Sequence, residues 1–286
     1  MGILENYNLE KNEKTKSYYL KNIYYIKNYL LNNPTILKGE GKMFGALKIN
    51  DESEVKNPTE FKNEINDDII YEFEKLAKSL GFTGIGYGRI HFKDKDKFPQ
   101  NSNSIILLRC NMNPSLLHLK SEYYEKEGLD KKFKNIVTNV FRLCDFLRSN
   151  GFNSEVIDSI ELEEEIKKSA ENSKCGKIGR NKAVIFKEGP ASKIFAITTS
   201  INNFKEEKLD EYKWIFEYCL SCGKCNIHCP EKAFDFKGNL IEDKCIGREE
   251  ACRICIEKCP FYQKDYESIK SKYDLKIEKT SRRSIF

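Results

Sequence analysis

Apolar residues recur at the spacing of one helix face in two segments of the chain. The first segment predicts a helix that Asp67 or Asp68 caps and that Gly81 ends. The second segment predicts a helix over residues 131–149, which Asn150 and Gly151 close. Each helix has one apolar face to bury, so both are expected to pack against a core.

Short runs of apolar and β-branched residues alternate with these helices. The predicted strands are residues 84–90, 104–110, 154–158, 183–186 and 194–200, and a third helix is predicted over residues 161–172. The run from Gly84 to Gly88 does not open a helix as a phosphate-binding loop would, so it is predicted as a strand that another part of the backbone approaches closely. Alternating helices and strands predict an α/β layered domain.

Length and composition describe a folded protein with room for more than one domain. The chain has 286 residues, enough for about two domains of ordinary size. Its 40% hydrophobic content excludes a disordered chain, and its net charge of +5 does not by itself identify a partner. No apolar run approaches the roughly 18 residues of a membrane span, and the amino terminus lacks a signal-peptide pattern, so we expect a cytoplasmic protein without membrane contact.

Eight of the eleven cysteines lie in two runs near the carboxyl end. The first run reads Cys219-x2-Cys222-x2-Cys225-x3-Cys229-Pro, and the second reads Cys245-x6-Cys252-x2-Cys255-x3-Cys259-Pro. An odd total in a reducing compartment argues against a disulfide framework. The first run has the spacing with which bacterial ferredoxins hold a 4Fe–4S cluster, and the second differs only by a longer first gap. The sequence therefore predicts two 4Fe–4S clusters.

The cysteine before each proline is expected to serve the other cluster, as it does in two-cluster ferredoxins. We name the two predicted ligand sets by cluster. The first cluster takes Cys219, Cys222, Cys225 and Cys259, and the second cluster takes Cys245, Cys252, Cys255 and Cys229. Paired Cys-x2-Cys units also bind zinc, which is the alternative, but two complete runs ending in Cys-Pro favour the clusters. Cys110 and Cys144 stand alone and are predicted to be small buried residues without a role.

The order of motifs before the cysteine runs resembles the family of epoxyqueuosine reductases and reductive dehalogenases. The matching elements are Cys-Gly-Lys-Ile-Gly-Arg-Asn at 175–181, Gly-Pro at 189–190, Thr-Thr at 198–199, Leu-Ala-Lys-Ser-Leu-Gly-Phe at 76–82 followed by Thr-Gly-Ile-Gly, and Phe-Pro at 98–99. Judged by order and spacing, the resemblance covers roughly residues 68 to 265.

The resemblance implies a nitroreductase-like α/β domain followed by a two-cluster ferredoxin-like α+β domain. The expected boundaries are an N-terminal extension (1–67), the α/β domain (68–205), the cluster domain (206–268) and a basic tail (269–286). The α/β domain would hold cobalamin or another corrinoid, to which the clusters pass electrons for reductive removal of an oxygen or halogen. An electron donor such as ferredoxin or flavodoxin and a small-molecule or tRNA substrate are implied. The alternative is a non-catalytic ferredoxin-like electron-transfer protein.

The resemblance also suggests site residues outside the cysteine runs. Asp158 resembles the aspartate that donates a proton in the reductases, although a cap for the helix over 161–172 is the favoured interpretation. Gly176, Gly179, Arg180 and Asn181 are candidates for cofactor contact, because glycines admit a backbone close to a flat ring and arginine offers a fork to a phosphate or carboxylate. A plain turn with a surface arginine is the alternative.

The remaining motifs carry weaker predictions. Trp214, Ile215 and Phe216 precede the first run and are expected to shield a cluster or to pack in a core. His91, His118 and His228 have no ligand spacing and are assigned no catalytic role, although His228 lies inside the first cysteine run. The basic stretch over 270–283 is either a solvated surface or a contact for RNA phosphates.

Overall fold

A computed structural model of the protein describes Met43–Phe44, Leu47–Lys48 and residues 53–112, 130–157, 162–205, 209–247 and 252–283. These residues all belong to one unit, Met43–Phe286. Strands β1 (Met43–Phe44) and β2 (Leu47–Lys48) pair antiparallel as a short hairpin. Asp158 and His118, named above, lie outside the described residues.

A four-stranded antiparallel sheet forms the centre of the α/β region. Its strands are β3 (Gly84–Arg89), β4 (Ser104–Asn111), β5 (Ser154–Ile157) and β8 (Ser192–Thr199). They are ordered β3-β4-β8-β5, and every neighbouring pair is antiparallel. The four corresponding strand predictions are confirmed, and every strand end lies within two residues of its predicted position. The mixed α/β class is also confirmed.

Three helices cover the two faces of this sheet: α1 (Asp67–Ser79), α2 (Asp130–Ser149) and α3 (Glu163–Asn172). Ile106 and Leu108 of β4 pack in one core with apolar residues of α1 and α2, whereas Ile105 and Leu107 pack in a second core with residues of α3. Because both faces are covered, β4 is a continuous apolar run rather than an alternating one.

Two predicted helix caps are wrong. The cap of α1 is Asn66, whose side-chain oxygen accepts a hydrogen bond from the Ile69 N–H at 2.9 Å, while Asp67 and Asp68 lie in the first turn. Helix α3 begins at Glu163, directly after Leu162, and has no side-chain cap. Asp158, the predicted capping residue, stands five positions before Glu163 in the sequence and lies outside the described residues.

A second, two-stranded hairpin lies beside α3. It consists of β6 (Lys177–Ile178) and β7 (Val184–Ile185), and the turn between them carries residues 179–183. The predicted strand over 183–186 is thus confirmed in shortened form. Lys182 in this turn has a left-handed backbone with φ of 64°. We refer to β6, β7 and their turn as the β6–β7 hairpin.

The region that carries the cysteine runs is mostly helical. Its helices are α4 (Trp214–Cys222), α5 (Lys224–Ile227), α6 (Ile254–Glu257), α7 (Pro260–Gln263) and α8 (Tyr266–Arg283). Short 3-10 helices occupy Glu242–Lys244 here and Phe92–Lys97 in the α/β region. Most of the predicted basic tail is thus part of α8. Throughout the described portion of the chain, every helix is too short or too polar to cross a membrane.

The glycines of β3 allow close packing, but by side chains rather than by the backbone that the sequence predicted. A Cβ built on Gly86 would lie 2.8 Å from the Sγ of Cys175, and one built on Gly84 would lie 1.8 Å from Nη2 of Arg109. Both distances are too short for ordinary contact. The strand can therefore accept these two side chains only because it lacks side chains of its own at these positions.

We expect Gly86→Ala to lower the free energy of unfolding by about 1–3 kcal/mol through overpacking against Cys175. Removing the sulfur in Gly86→Ala/Cys175→Ala should restore much of this loss, since the next nearest atom, the Cβ of Cys175, is 3.3 Å away. Urea denaturation of the wild type, both single variants and the double variant measures the coupling. Additive effects would show that the sulfur contact is not the cause.

Candidate metal centre

The first cysteine run is arranged by two short helices that meet at a glycine. Cys219 and Cys222 lie in α4, and Cys225 lies in α5. Gly223 between the helices has a left-handed backbone with φ of 59°, which ends α4 and lets α5 begin at the next residue. The chain therefore changes direction within the run and presents its thiols to a common region.

Cys259 belongs to the second run but lies among thiols of the first. Burial, together with like-charge repulsion from the neighbouring thiols of Cys219, Cys225 and Cys222, raises the pKa of Cys259 to about 12. Cys259 itself is 8% exposed. The last cysteine of the chain is thus electrostatically coupled to three cysteines that precede it by 34 to 40 residues.

Cys255 shows the reciprocal arrangement. Burial raises its pKa to about 12, and repulsion from the thiols of Cys245, Cys225, Cys252 and Cys229 adds to this effect. Cys229, the last cysteine of the first run, therefore lies near cysteines of the second. Cys225 interacts with both groups, which indicates that the two groups of thiols are adjacent.

Main-chain N–H groups point at several of these sulfurs. The N–H of Ala233 donates to Sγ of Cys229 at 3.3 Å, and the main-chain N–H groups of Arg180 and Phe261 lower the pKa of Cys219 and Cys259, respectively. These donors favour the thiolate, yet burial is the larger effect at Cys219 and raises its pKa to about 11. Metal binding supplies the charge that stabilises such buried thiolates.

The donor set fits iron–sulfur clusters by its chemistry. Within the described ranges, no three His, Cys, Asp or Glu side chains form a group that could hold a single metal ion. Around one zinc ion, four thiolates would need to approach to about 3.8 Å, as bond lengths of 2.3 Å in a tetrahedron require. A 4Fe–4S cluster separates its ligands further, because each thiolate binds a different iron. Eight partly or fully buried thiols with N–H donors are the set that two such clusters require.

Aromatic rings enclose the first group of thiols on one side. Trp214, Tyr218, Phe261, Tyr266 and Tyr273 have ring centroids 5.2–6.1 Å apart in successive contacts, and we call them the aromatic wall. Burial raises the pKa of the Tyr218 hydroxyl to about 12, and the nearby thiols of Cys222, Cys259 and Cys219 also raise it. The wall therefore lies directly against these cysteines.

The sequence anticipated only part of this wall. Trp214 belongs to it, and Ile215 is fully buried beside it, but the side chain of Phe216 is 55% exposed and shields nothing. The other four rings were missed. Their only sequence signal is the density of aromatic residues around the cysteine runs, which does not show which rings face a thiol.

The four candidate cofactor residues lie in and around the turn of the β6–β7 hairpin. Gly176 and Gly179 leave no room for a Cβ, which would lie 2.7 Å from Cγ1 of Val184 and 3.0 Å from Oδ1 of Asn181, respectively. Arg180 donates to the carbonyls of Gly238 and Leu220 at 3.0 and 3.4 Å and also to Lys237. The buried amide of Asn181 donates to the carbonyl of Cys255 at 3.4 Å. The turn thus contacts both cysteine runs and the loop between them.

A cavity in the α/β region lies on the other side of this turn. It is small, with a volume of about 40 Å³, and it is open to solvent at its mouth. The cavity is lined by Lys182, Ala183 and Val184 of the hairpin, by Glu163, Ile166 and Lys167 of α3, and by Pro190, Ser192, Lys193 and Ile194 around the start of β8. Lys167 is paired with Glu163 at 2.9 Å and with Glu164 at 3.3 Å. The lining combines an apolar floor with charged side chains.

The two unassigned cysteines are buried, as the sequence predicted, and the two described histidines are exposed. Cys110 and Cys144 are 7% and 0% exposed and belong to the core under α1 and α2. His91 is exposed. His228 is also exposed, with its Nδ1 atom 2.9 Å from the carbonyl of Lys224, one residue before Cys225. It borders the first cysteine run without facing it as a ligand would.

Comparisons with known proteins identify the fold. No protein-family model matches the sequence, and no curated protein matches it. Among solved structures, an epoxyqueuosine reductase with an epoxyqueuosine-modified tRNA-Tyr stem loop is 19% identical, with a TM-score of 0.50 over 70% of this chain and 67% of that one. The Bacillus subtilis epoxyqueuosine reductase, solved with an aspartate-bearing catalytic loop swung out of its active site, is 18% identical, with a TM-score of 0.50 over 70% and 67%.

A reductive dehalogenase whose structure suggests a mechanism for B12-dependent dehalogenation has a similar TM-score. It is 15% identical, with a TM-score of 0.53, and the match covers 75% of this chain and 35% of the dehalogenase. This chain therefore spans about a third of the dehalogenase. The resemblance seen in the sequence is confirmed as a shared fold, that of the epoxyqueuosine reductases and reductive dehalogenases.

Proposed function

We propose that this chain is an iron–sulfur oxidoreductase in which two 4Fe–4S clusters deliver electrons to an organic cofactor in the α/β domain. One observation carries the proposal. The β6–β7 hairpin lines the cavity with Lys182, Ala183 and Val184. The same turn hydrogen-bonds both cysteine runs, through Arg180 to the carbonyl in α4 that follows Cys219 and through Asn181 to the second run. A carrier that only passes electrons between partners would not need a cavity at this place.

The proposed cluster ligands are those that the spacing predicted. Cys219, Cys222, Cys225 and Cys259 would hold the first cluster, and Cys245, Cys252, Cys255 and Cys229 the second. The coupling of Cys259 to the first run and of Cys229 to Cys255 supports this crossed assignment. When bound, such clusters accept and release single electrons. The thiolates anchor them, the N–H donors stabilise the thiolate charge, and the aromatic wall keeps water from one side.

The organic cofactor that we propose is a corrinoid such as cobalamin, bound in the α/β domain beside the cavity. Support comes from the shared fold with a protein studied for B12-dependent dehalogenation. We propose that the cofactor contacts the hairpin turn, which reaches the cavity at Lys182. The residues proposed to make this contact are Gly176, Gly179, Arg180 and Asn181. Asp158 comes five residues before Glu163, which lines the cavity, and we propose that its carboxyl group supplies the proton to the substrate.

Anaerobic purification tests the proposal. The protein should carry about eight irons per chain and bind hydroxocobalamin with a change in the corrin spectrum. Ser192→Trp, which fills the cavity, should weaken corrinoid binding and leave the iron content unchanged. Ser271→Trp on the exposed face of α8 is the matched control and should leave both unchanged.

Two results would contradict parts of this proposal. Iron–sulfur absorbance with no corrinoid binding would favour the non-catalytic ferredoxin-like carrier. About half the iron, or zinc in place of iron, would reject the ligand sets themselves.

Two neighbouring structures suggest substrate classes for this chain. An epoxyqueuosine reductase was solved with a modified tRNA stem loop, and a reductive dehalogenase was solved in complex with 3-bromo-4-hydroxybenzoic acid. We propose a reductive reaction on one of these classes, with electrons from a ferredoxin or flavodoxin. Incubation of the reduced protein with epoxyqueuosine-containing tRNA and, separately, with the halogenated acid distinguishes them by loss of the epoxide oxygen or release of bromide.

A further inference from the structure

Arg180 joins the α/β domain to the first cysteine run and to the loop that follows this run. Its Nε donates to the carbonyl of Gly238 at 3.0 Å, its Nη1 to the carbonyl of Leu220 at 3.4 Å, and its Nη2 to the carbonyl of Lys237. Leu220 directly follows Cys219 in α4. These contacts span 40 to 58 residues of sequence, so they are not required to form the hairpin turn itself.

The loop opposite is shaped around this guanidinium group. Gly238 has a left-handed backbone with φ of 77°, and a Cβ at this position would lie 1.4 Å from Nη2 of Arg180. Glycine is the residue that meets both conditions, since it adopts positive φ without strain and leaves the space open. The loop therefore accepts an arginine here and would exclude it if any side chain were present.

The same side chain lies beside a cysteine of the run. Its Nη1 donates to the carbonyl of Leu220, the residue after Cys219, and its positive charge favours the thiolates of Cys219 and Cys225. An arginine stays charged at every pH that a protein tolerates. Next to it, Asn181 makes the contact with the second run, and this contact is a neutral amide hydrogen bond to the carbonyl of Cys255. The turn thus places a charge beside one group of thiols and a neutral amide beside the other.

We propose that Arg180 is a positioning residue that raises the reduction potential of the first cluster above that of the second. The inference rests on the function proposed above. A fixed positive charge stabilises the reduced cluster, which carries one more negative charge, more than it stabilises the oxidised one. An electron transferred from a one-electron donor would therefore reside mainly on the first cluster, beside the hairpin that leads to the cavity.

Redox titration of the anaerobic protein, followed by EPR, tests this role. In Arg180→Gln, the ratio of reduced to oxidised first cluster at a fixed potential should fall about tenfold, which for a one-electron couple is about 59 mV. The second cluster should titrate as in the wild type. Lys258→Gln removes an exposed positive charge next to Cys259 and is the matched control. It should leave both clusters unchanged, because solvent screens an exposed charge.

Arg180→Lys keeps a positive charge but loses the planar fork, and we expect a potential between those of the wild type and Arg180→Gln. If the first-cluster potential of Arg180→Gln is unchanged, the proposal is overturned. If Arg180→Gln does not fold, an unchanged first-cluster potential in Arg180→Lys overturns it instead. Failure of both variants to retain iron also overturns it, since Arg180 would then be needed for folding. A wild type without iron would instead reject the proposed function.

Discussion

Replacing Cys259 with alanine is expected to remove the cluster of the first cysteine run, although Cys259 belongs to the second. The protein should fall from about eight irons to about four, because a cluster that loses one of four thiolates is poorly held. The physical reason is the position of Cys259 among Cys219, Cys222 and Cys225. Iron analysis and EPR of the anaerobically purified variant measure the loss.

Paired substitutions show which cysteines share a cluster. Cys219→Ala/Cys259→Ala should retain about four irons, since both changes affect the same cluster, whereas Cys245→Ala/Cys259→Ala should lose nearly all iron. Cys110→Ala is the matched control and should keep about eight irons, because Cys110 lies in the core under α1 and α2. The crossed assignment would be wrong if Cys219→Ala/Cys259→Ala lost all iron and Cys245→Ala/Cys259→Ala kept half.

Removing the indole ring of Trp214 is expected to have the largest effect on stability. Its ring contacts Tyr218, Phe261, Tyr266 and Tyr273, and its Nε1–H donates to the Tyr266 hydroxyl at 2.9 Å. We expect Trp214→Ala to lower the free energy of unfolding by about 3 kcal/mol, near the lower end for a large aromatic ring, since Trp214 is only partly buried. Anaerobic urea denaturation followed by circular dichroism measures this change.

The same variant should also expose the first cluster to solvent. We expect its iron–sulfur absorbance to bleach faster in air than that of the wild type, because the aromatic wall is opened. Trp214→Phe keeps a ring and loses only the hydrogen bond to Tyr266, so its bleaching rate should stay close to that of the wild type. Faster bleaching in Trp214→Phe than in Trp214→Ala would contradict a shielding role.

Local signals in the sequence predicted the elements that they control directly. The continuous apolar run of β4 and the one-sided apolar pattern of α1 and α2 follow from burial, so those elements were predicted within a few residues. Helix caps were predicted less well. Asn66 and Asp67 are equally good capping residues by type, and only the backbone conformation at Asn66, extended with ψ of 163°, decides between them.

The candidate site divides in the same way. The spacing of the two cysteine runs indicates thiolate ligands for iron, because the number of residues between cysteines limits how far apart their sulfurs can lie. Spacing carried no information on Gly238, which stands in an ordinary polar turn of the sequence. The sequence predicted Arg180 to be either a cofactor ligand or a surface residue. It did not predict that Arg180 contacts the first cysteine run and the loop after it.

What the sequence determined by itself is therefore most of the helices and strands of the α/β region and the spacing of the eight clustered thiols. Only the tertiary structure decided which thiols lie together, which rings cover them and which turn joins them to the cavity. Trp214 and Tyr266 are 52 residues apart, and Arg180 and Gly238 are 58 apart. Pairs so distant along the chain meet only when the chain has folded, because no local spacing restricts the distance between them.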